Sequence, residues 1–119
     1  MTEPRRIYVA GPMTGYLDYN YPAFNAAAVA LRSLGHHVEN PAENEHLNDG
    51  TWGWSDYLRR ALTQLLTCDA IVLLPGWEQS KGAQIESDLA ETLGIEPLLI
   101  SEFFQGPRAK TADEKGNDK

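Results

Sequence analysis

The segment Ser80-Lys81-Gly82-Ala83-Gln84-Ile85-Glu86 combines a hydroxyl, a cation and a carboxylate within seven residues. It follows the apolar run 70–74 and a turn at Pro75-Gly76-Trp77. This order predicts a buried strand, a loop at its carboxyl end, and a helix that carries a glutamate near its start. Ligands of α/β proteins bind at the carboxyl ends of the strands. A glutamate there can be a nucleophile, an acid, a base or an anchor for a ribose.

Glu86 falls in the second turn of this helix if Ser80 is the N-cap. It then shares a face with Ala90 and Leu93, which lie four and seven residues further on. Those neighbours place the carboxylate toward the apolar side of the helix, where it needs a purpose or a partner. From the residues alone, a functional carboxylate and a structural ion pair stay equally open.

The loop Gly11-Pro12-Met13-Thr14-Gly15 follows another short β-favouring run, 7–10. Its glycines allow backbone N–H groups to approach an anion, but a plain turn explains the same residues. The loop matches neither G-x-G-x-x-G nor the Walker A pattern, so dinucleotide and triphosphate binding gain no support. The neighbouring Tyr16, Tyr19 and Tyr21 either stack on a nucleobase or cover the end of the sheet.

Asp56 and Tyr57 open the second predicted helix, on the side where Glu86 is expected. Trp52 and Trp54 before it form either a hydrophobic lid or a stacking platform. Lys81 either attracts a phosphate or is a surface lysine.

The hydrophobic pattern predicts four strands that alternate with three helices. The strands are expected at 7–10, 37–40, 70–74 and 97–100. The first helix begins after Asn20 as N-cap and stops at Gly35, the second begins after Ser55, and the third covers about 81–93. Such alternation is typical of an α/β fold: a small doubly wound, flavodoxin- or Rossmann-like parallel sheet of four to five strands with helices on both faces.

Length, charge and composition limit the functional classes. The chain has 119 residues, enough for one domain, which we expect over residues 1–104, with a disordered charged tail at 105–119. A net charge of −7 argues against a nucleic-acid binder. No run is long enough to span a bilayer and no signal peptide is evident, so a cytoplasmic protein is expected. The single cysteine and scattered histidines give no metal site, and no motif indicates a cofactor.

Several motifs together resemble one protein family. They are Ile7-Tyr8-Val9-Ala10-Gly11-Pro12, Asn20-Tyr21-Pro22-Ala23-Phe24, Asn40-Pro41-Ala42-Glu43, the run 68–77, and Ser80-x-Gly82-Ala83-x-x-Glu86. This set is similar to the DUF4406-type proteins common in phages and prophages. That family looks like a branch of the nucleoside 2-deoxyribosyltransferase superfamily, which includes the 2′-deoxynucleoside 5′-phosphate N-hydrolases. The resemblance covers about residues 6–100.

The resemblance implies a function for the opening segment. In the superfamily, the glutamate that matches Glu86 attacks the anomeric carbon of a nucleoside and forms a glycosyl-enzyme. The serine that matches Ser80 contacts a 5′-phosphate, and the loop that matches Gly11–Gly15 lines the nucleotide site. Gly76, Trp77 and Gly82 are expected as further substrate contacts, with Tyr16 or Trp77 against the base. The proteins are usually homo-oligomers, so a dimer or larger assembly is expected.

Two positions depart from the superfamily pattern. Ala61 stands where an active-site aspartate is common, and Asp56 is the candidate to replace it. Gln84 stands where many relatives have glycine and is expected to narrow the pocket. The leading hypothesis is therefore an enzyme that cleaves or transfers the N-glycosidic bond of a nucleoside or its 5′-monophosphate. The alternatives are a nucleotide-binding module that has lost turnover, and a small interaction protein that binds no nucleotide.

Overall fold

The computed structural model describes residues 3–102. Within this range four strands alternate with three α-helices: β1 (Arg6–Ala10), α1 (Tyr21–Ser33), β2 (His37–Glu39), α2 (Trp54–Leu65), β3 (Ala70–Leu73), α3 (Lys81–Leu93) and β4 (Glu96–Leu99). Short 3-10 helices cover Leu17–Asn20, Pro41–Leu47, Trp77–Gln79 and Ile100–Glu102. Every predicted strand and helix is present, with ends shifted by one or two residues. The expected tail at 105–119 lies outside the described residues.

The four strands form one parallel sheet in the order β2-β1-β3-β4. Side chains alternate across it, so Ile7 and Val9 face α1 while Tyr8 and Ala10 face α2 and α3. Both faces of β1 are therefore covered, which explains why its sequence is apolar without alternation. This confirms the doubly wound α/β fold with helices on both faces.

The start of α3 follows its local sequence signal, whereas the start of α2 does not. Ser80 caps α3, because its Oγ accepts a hydrogen bond from the Ala83 N–H at 3.2 Å. The prediction that Ser55 caps α2 was wrong. That helix begins at Trp54 after Gly53, and the Asp56 carboxylate reaches back to accept a hydrogen bond from the Gly53 N–H at 2.9 Å.

The ends of β1 and β3 meet closely where the loops to the site begin. The Leu74 N–H donates to the Ala10 carbonyl at 2.8 Å. A Cβ atom added at Gly11 would lie 2.8 Å from the Cβ of Leu74. Glycine is needed here because the ends of β1 and β3 approach each other closely. That approach fixes where the Gly11–Gly15 loop leaves the sheet.

Gly11→Ala is expected to lower the free energy of unfolding by about 1–3 kcal/mol, the usual range for overpacking a core. Gly82→Ala is the matched control. Its Cβ would meet nothing nearer than the Trp54 ring at 3.7 Å, and alanine favours a helix over glycine by about 1 kcal/mol. Urea unfolding measures both. A Gly11→Ala protein as stable as the Gly82→Ala protein would contradict the close contact.

Candidate active site

A cavity of about 500 Å³ opens at the carboxyl edge of the sheet. Five parts of the chain line it: the loop after β1, the start of α1, the segment between β2 and α2, the first two thirds of α2, and Ser80 with the first half of α3. Parallel strands bring these segments together because all their carboxyl ends lie at one edge. The volume is that of an ordinary small-molecule site.

Glu86 lies in the second turn of α3 and lines this cavity with a side chain that is only 6% exposed. Its Oε2 accepts a hydrogen bond from the Tyr8 hydroxyl at 2.5 Å. No other described residue donates a hydrogen bond to its carboxylate. One oxygen is therefore held by β1, while the other has no protein donor within residues 3–102.

The Glu86 carboxyl group is held near its titration point at neutral pH. Burial disfavours the charged form and raises its pKa to about 7, and the Tyr8 hydrogen bond opposes this rise. Burial and the Glu86 charge raise the pKa of Tyr8 well above its ordinary value of 10, so the phenol stays protonated as the donor. Tyr8 was not among the predicted site residues. Tyr8 stands in the motif 7–12 that carries the family resemblance, but nothing in the sequence indicates its contact with Glu86.

The structure brings about half of the expected site residues to the cavity. Glu86 is joined there by Gly11, Met13, Thr14, Ser80 and Gly82. Because the Ser80 oxygen accepts from Ala83, its hydroxyl proton remains able to donate to a ligand. These residues come from the loop after β1 and from the start of α3, as the sequence suggested.

The other expected residues lie outside the cavity wall. Tyr16 and Pro12 pack on Gly76, where an added Cβ would lie 2.6 Å from the Tyr16 hydroxyl and 3.2 Å from the proline ring. Gly76 has a φ of 89°, which suits glycine. Gly15 is an exposed turn residue with a φ of 87°, and Trp77 begins a 3-10 helix. The group of Pro12, Tyr16 and Gly76 joins the loops after β1 and β3.

Asp56 and Gln84 are also placed differently from what the sequence suggested. The Asp56 carboxylate caps the backbone of α2 at Gly53 and does not line the cavity. Gln84 is exposed and its side-chain amide binds the Glu78 carbonyl, so it does not narrow the pocket. Ala61, in contrast, lines the cavity with Glu86 and is 5% exposed. Among residues 3–102, the carboxylates that line the cavity are those of Glu45 and Glu86, and Asp56 does not join them.

A second polar cluster lies on the wall, and the sequence did not predict that its members meet. We call it the Glu45 wall, and it consists of Tyr21, Glu45, Asn48 and Tyr57. The Tyr21 and Tyr57 hydroxyls donate to Glu45 Oε1 at 3.3 and 3.2 Å. Asn48 Nδ2 donates to the Tyr57 hydroxyl at 2.7 Å. Its members come from α1, α2 and the segment between β2 and α2, so no local pattern links them.

An unusual turn carries another aromatic side chain to the cavity. Asp18, Tyr19 and Asn20 have left-handed backbone conformations, with φ of 53°, 52° and 62°. Asn20 was predicted to cap α1, but its side chain donates to the Pro12 carbonyl at 2.9 Å and caps nothing. Tyr19 lines the cavity and remains 62% exposed.

Within residues 3–102, neither a membrane-spanning helix nor a cluster of metal-ligating side chains is present. None of the helices there is long and apolar enough to cross a membrane. No group of three or more His, Cys, Asp or Glu side chains in the same range is arranged to hold a metal ion.

A family model described as "Domain of unknown function (DUF4406)" matches residues 5–98. The chain belongs to the DUF4406 family. Its fold is similar to a solved structure of "2-desoxiribosyltransferase from Leishmania mexicana", with a TM-score of 0.61 and 21% sequence identity. That similarity covers 81% of the DUF4406 chain and 63% of the other, so the chain spans less than two thirds of that protein. No curated protein matches the chain.

The raised pKa of Glu86 predicts how stability varies with pH. A carboxyl pKa of about 7 in the folded state, against an ordinary 4.5, means that the folded protein holds this proton more tightly. The contribution of Glu86 to stability is therefore lost as pH rises from about 4.5 to about 7, by about 3 kcal/mol.

Glu86→Gln is expected to remove that loss, so the variant gains on wild type as pH rises from 4.5 to 8. Denaturant unfolding at several pH values measures the difference. Glu91→Gln, an exposed position on the same helix, is the control and should keep the wild-type pH profile. If the free energies of unfolding of wild type and Glu86→Gln changed with pH in the same way, the raised pKa of Glu86 would be contradicted.

Proposed function

We propose that this DUF4406 protein cleaves or transfers the N-glycosidic bond of a deoxynucleoside or its 5′-monophosphate, with Glu86 as the nucleophile. The observation that carries the proposal is the Glu86 carboxylate itself. It is buried at the base of a ligand-sized cavity, with one oxygen bound to Tyr8 and the other without a protein donor among the described residues. A structural carboxylate would be expected to have a cation or several donors.

The reaction would proceed in two displacements at the anomeric carbon. The open Glu86 oxygen attacks C1′ as the C1′–N bond breaks and its electron pair leaves with the base. This step forms a glycosyl ester on Glu86. Water or a second nucleobase then attacks C1′, breaks the ester bond and regenerates the carboxylate with net retention. The proton that the attacking group gives up balances the one that the departed base takes up. Water gives a hydrolase, and a nucleobase gives a transferase.

Tyr8 would position the nucleophile and keep it available. Its hydrogen bond fixes one carboxylate oxygen and lowers the Glu86 pKa against the effect of burial. At pH near 7 a substantial share of the carboxyl group is then ionised and able to attack.

Ser80 and the 11–14 part of the glycine loop are the proposed cradle for the sugar or its phosphate. The Ser80 hydroxyl stands at the N-terminus of α3, where helix N–H groups favour an anion. Lys81 lies beside it, with its Nζ 5.4 Å from the centre of the Trp54 ring. The likeness of fold to a protein described as a 2-desoxiribosyltransferase supports the same substrate class. We also propose that the protein forms a homo-oligomer, either a dimer or a larger assembly.

Base release tests this function directly. The protein is incubated with deoxynucleosides and with their 5′-monophosphates, and free base is measured by chromatography. We expect release by wild type and a loss of at least a hundredfold in Glu86→Ala, because no other carboxylate lines that part of the cavity within residues 3–102. Glu91→Ala should match wild type. No release by wild type, or equal release by Glu86→Ala, would refute the proposal.

The pH dependence of base release tests the role of Tyr8. The rate should rise with pH through a midpoint near 7 as Glu86 ionises. Tyr8→Phe removes the hydrogen bond that lowers this pKa, so its midpoint should move to higher pH and its rate at pH 7 should fall. A pH–rate profile of kcat/KM for both proteins measures the shift. An unchanged midpoint in Tyr8→Phe would contradict the assignment.

Ala61 favours a second candidate function, a nucleotide-binding module without turnover. It lines the cavity where the superfamily commonly has an aspartate, and Asp56 does not supply a replacement carboxylate there. Thermal-shift measurements with the same nucleotides distinguish the two candidates. Stabilisation by nucleotide without base release supports the binding module.

A further inference from the structure

The Glu45 wall and Ser80 lie on opposite sides of the end of β1. Glu45 belongs to the 3-10 segment that follows β2, and Ser80 ends the loop that follows β3. In the sheet order β2-β1-β3-β4, β1 separates these two strands. A ligand that reaches from Ser80 to Glu45 must therefore cross the Gly11–Thr14 loop, above Glu86.

The hydrogen bonds among residues 3–102 leave one oxygen of the Glu45 wall able to accept a hydrogen bond from a ligand. Tyr21 and Tyr57 both donate to Glu45 Oε1. Asn48 Oδ1 is occupied by the N–H groups of Gly50, at 2.8 Å, and Trp52, at 3.2 Å. Glu45 Oε2 accepts no hydrogen bond from any residue between 3 and 102. A carboxylate oxygen has two lone pairs and no proton, so this atom can bind only donors.

The charges around the cavity decide which end of a nucleotide can face Glu45. A phosphate beside this carboxylate would be repelled in a protein whose net charge is already −7. At the other end are the helix N-terminus of α3 and the Ser80 hydroxyl, with the exposed Lys81 next in sequence, over Trp54 and outside the cavity lining. The phosphate therefore belongs with Ser80, and the base with Glu45.

We infer that Glu45 selects nucleobases that present an amino group beside a ring N–H, as guanine does. This inference rests on the proposed nucleotide site. The two neighbouring donors of such a base match the two lone pairs of Oε2, while the paired tyrosine hydroxyls hold the carboxylate in place. Bases with a carbonyl at that edge would direct one acceptor against another. Glu45 is thus a specificity residue, and Tyr21 and Tyr57 position it.

Deoxyguanosine and deoxyinosine monophosphates form the sharpest pair of probes, because they differ only by the amino group. Binding is measured by calorimetry in the Glu86→Gln background, which separates recognition from turnover. With Glu45 intact, removal of the amino group should weaken binding about tenfold or more, as for a hydrogen bond to a charged acceptor. Glu45→Gln places an amide N–H₂ where Oε2 can stand, so the ratio of the two dissociation constants should fall to about one or below.

Asp49→Asn is the matched control. It makes the same carboxylate-to-amide change in the neighbouring loop, where Asp49 binds Thr51 and does not line the cavity, so it should keep the tenfold ratio. Tyr57→Phe leaves the carboxylate but removes one of its anchors, and should give an intermediate ratio. Circular dichroism verifies that each variant is folded.

The outcomes separate this inference from the proposed function. A tenfold ratio that depends on Glu45, without base release by the protein with Glu86, supports base selection and refutes the enzyme. Base release with equal affinity for both nucleotides overturns the inference and leaves the enzyme. A Glu45→Gln effect equal for both nucleotides assigns Glu45 to the sugar or to local structure and also overturns it, as does the absence of binding to either nucleotide.

Discussion

The carboxyl group of Glu86 lies in the protein interior and accepts a hydrogen bond from the Tyr8 hydroxyl. This contact joins α3 to β1, one of the two central strands of the sheet. Ionising such a group is costly, because the interior solvates charge poorly and one phenol cannot replace water. Two other features maintain the geometry. The Ser80 cap fixes the start of α3, and Gly11 lets β1 and β3 end side by side.

The site is assembled by the parallel sheet and not by any one segment. Residues of the loops after β1, β2 and β3 are distant in sequence, yet strand direction brings all three loops to one edge. The DUF4406 chain shares its fold with a larger protein of low sequence identity. Such similarity concerns the backbone frame, while the chemistry depends on which side chains this chain places on it.

The regular elements could be predicted from sequence because their signals are local. Apolar spacing located α1, α2 and α3, and Ser80 and Gly94 marked the ends of the last helix. The burial of Glu86 also followed from its helical face, shared with Ala90. Helix caps and loops were harder to predict where two sequence signals competed. Ser55 looked like an N-cap, but the reach of Asp56 to the Gly53 N–H moved the start of the helix.

Contacts made across long stretches of chain could not be predicted. Tyr8 and Glu86 are 78 residues apart, and nothing near either one indicates the other. The same holds for Tyr21, Glu45 and Tyr57, whose hydroxyl and carboxylate groups meet only in the folded chain. Tyr16 was one of two residues, with Trp77, that the family resemblance suggested as a contact to the base. Its ring instead packs on Gly76, whose missing side chain leaves space for it.

The left-handed turn at Asp18, Tyr19 and Asn20 places a strained stretch of backbone next to the cavity. Left-handed geometry costs an ordinary L-residue about 1–2 kcal/mol, and aspartate and asparagine tolerate it better than tyrosine does. Within the described chain, the side-chain hydrogen bond of this turn is the one from Asn20 to Pro12. The backbone of this segment is therefore strained next to the cavity. A ligand that let Tyr19 relax to ordinary backbone angles would gain the released strain as affinity without any new contact.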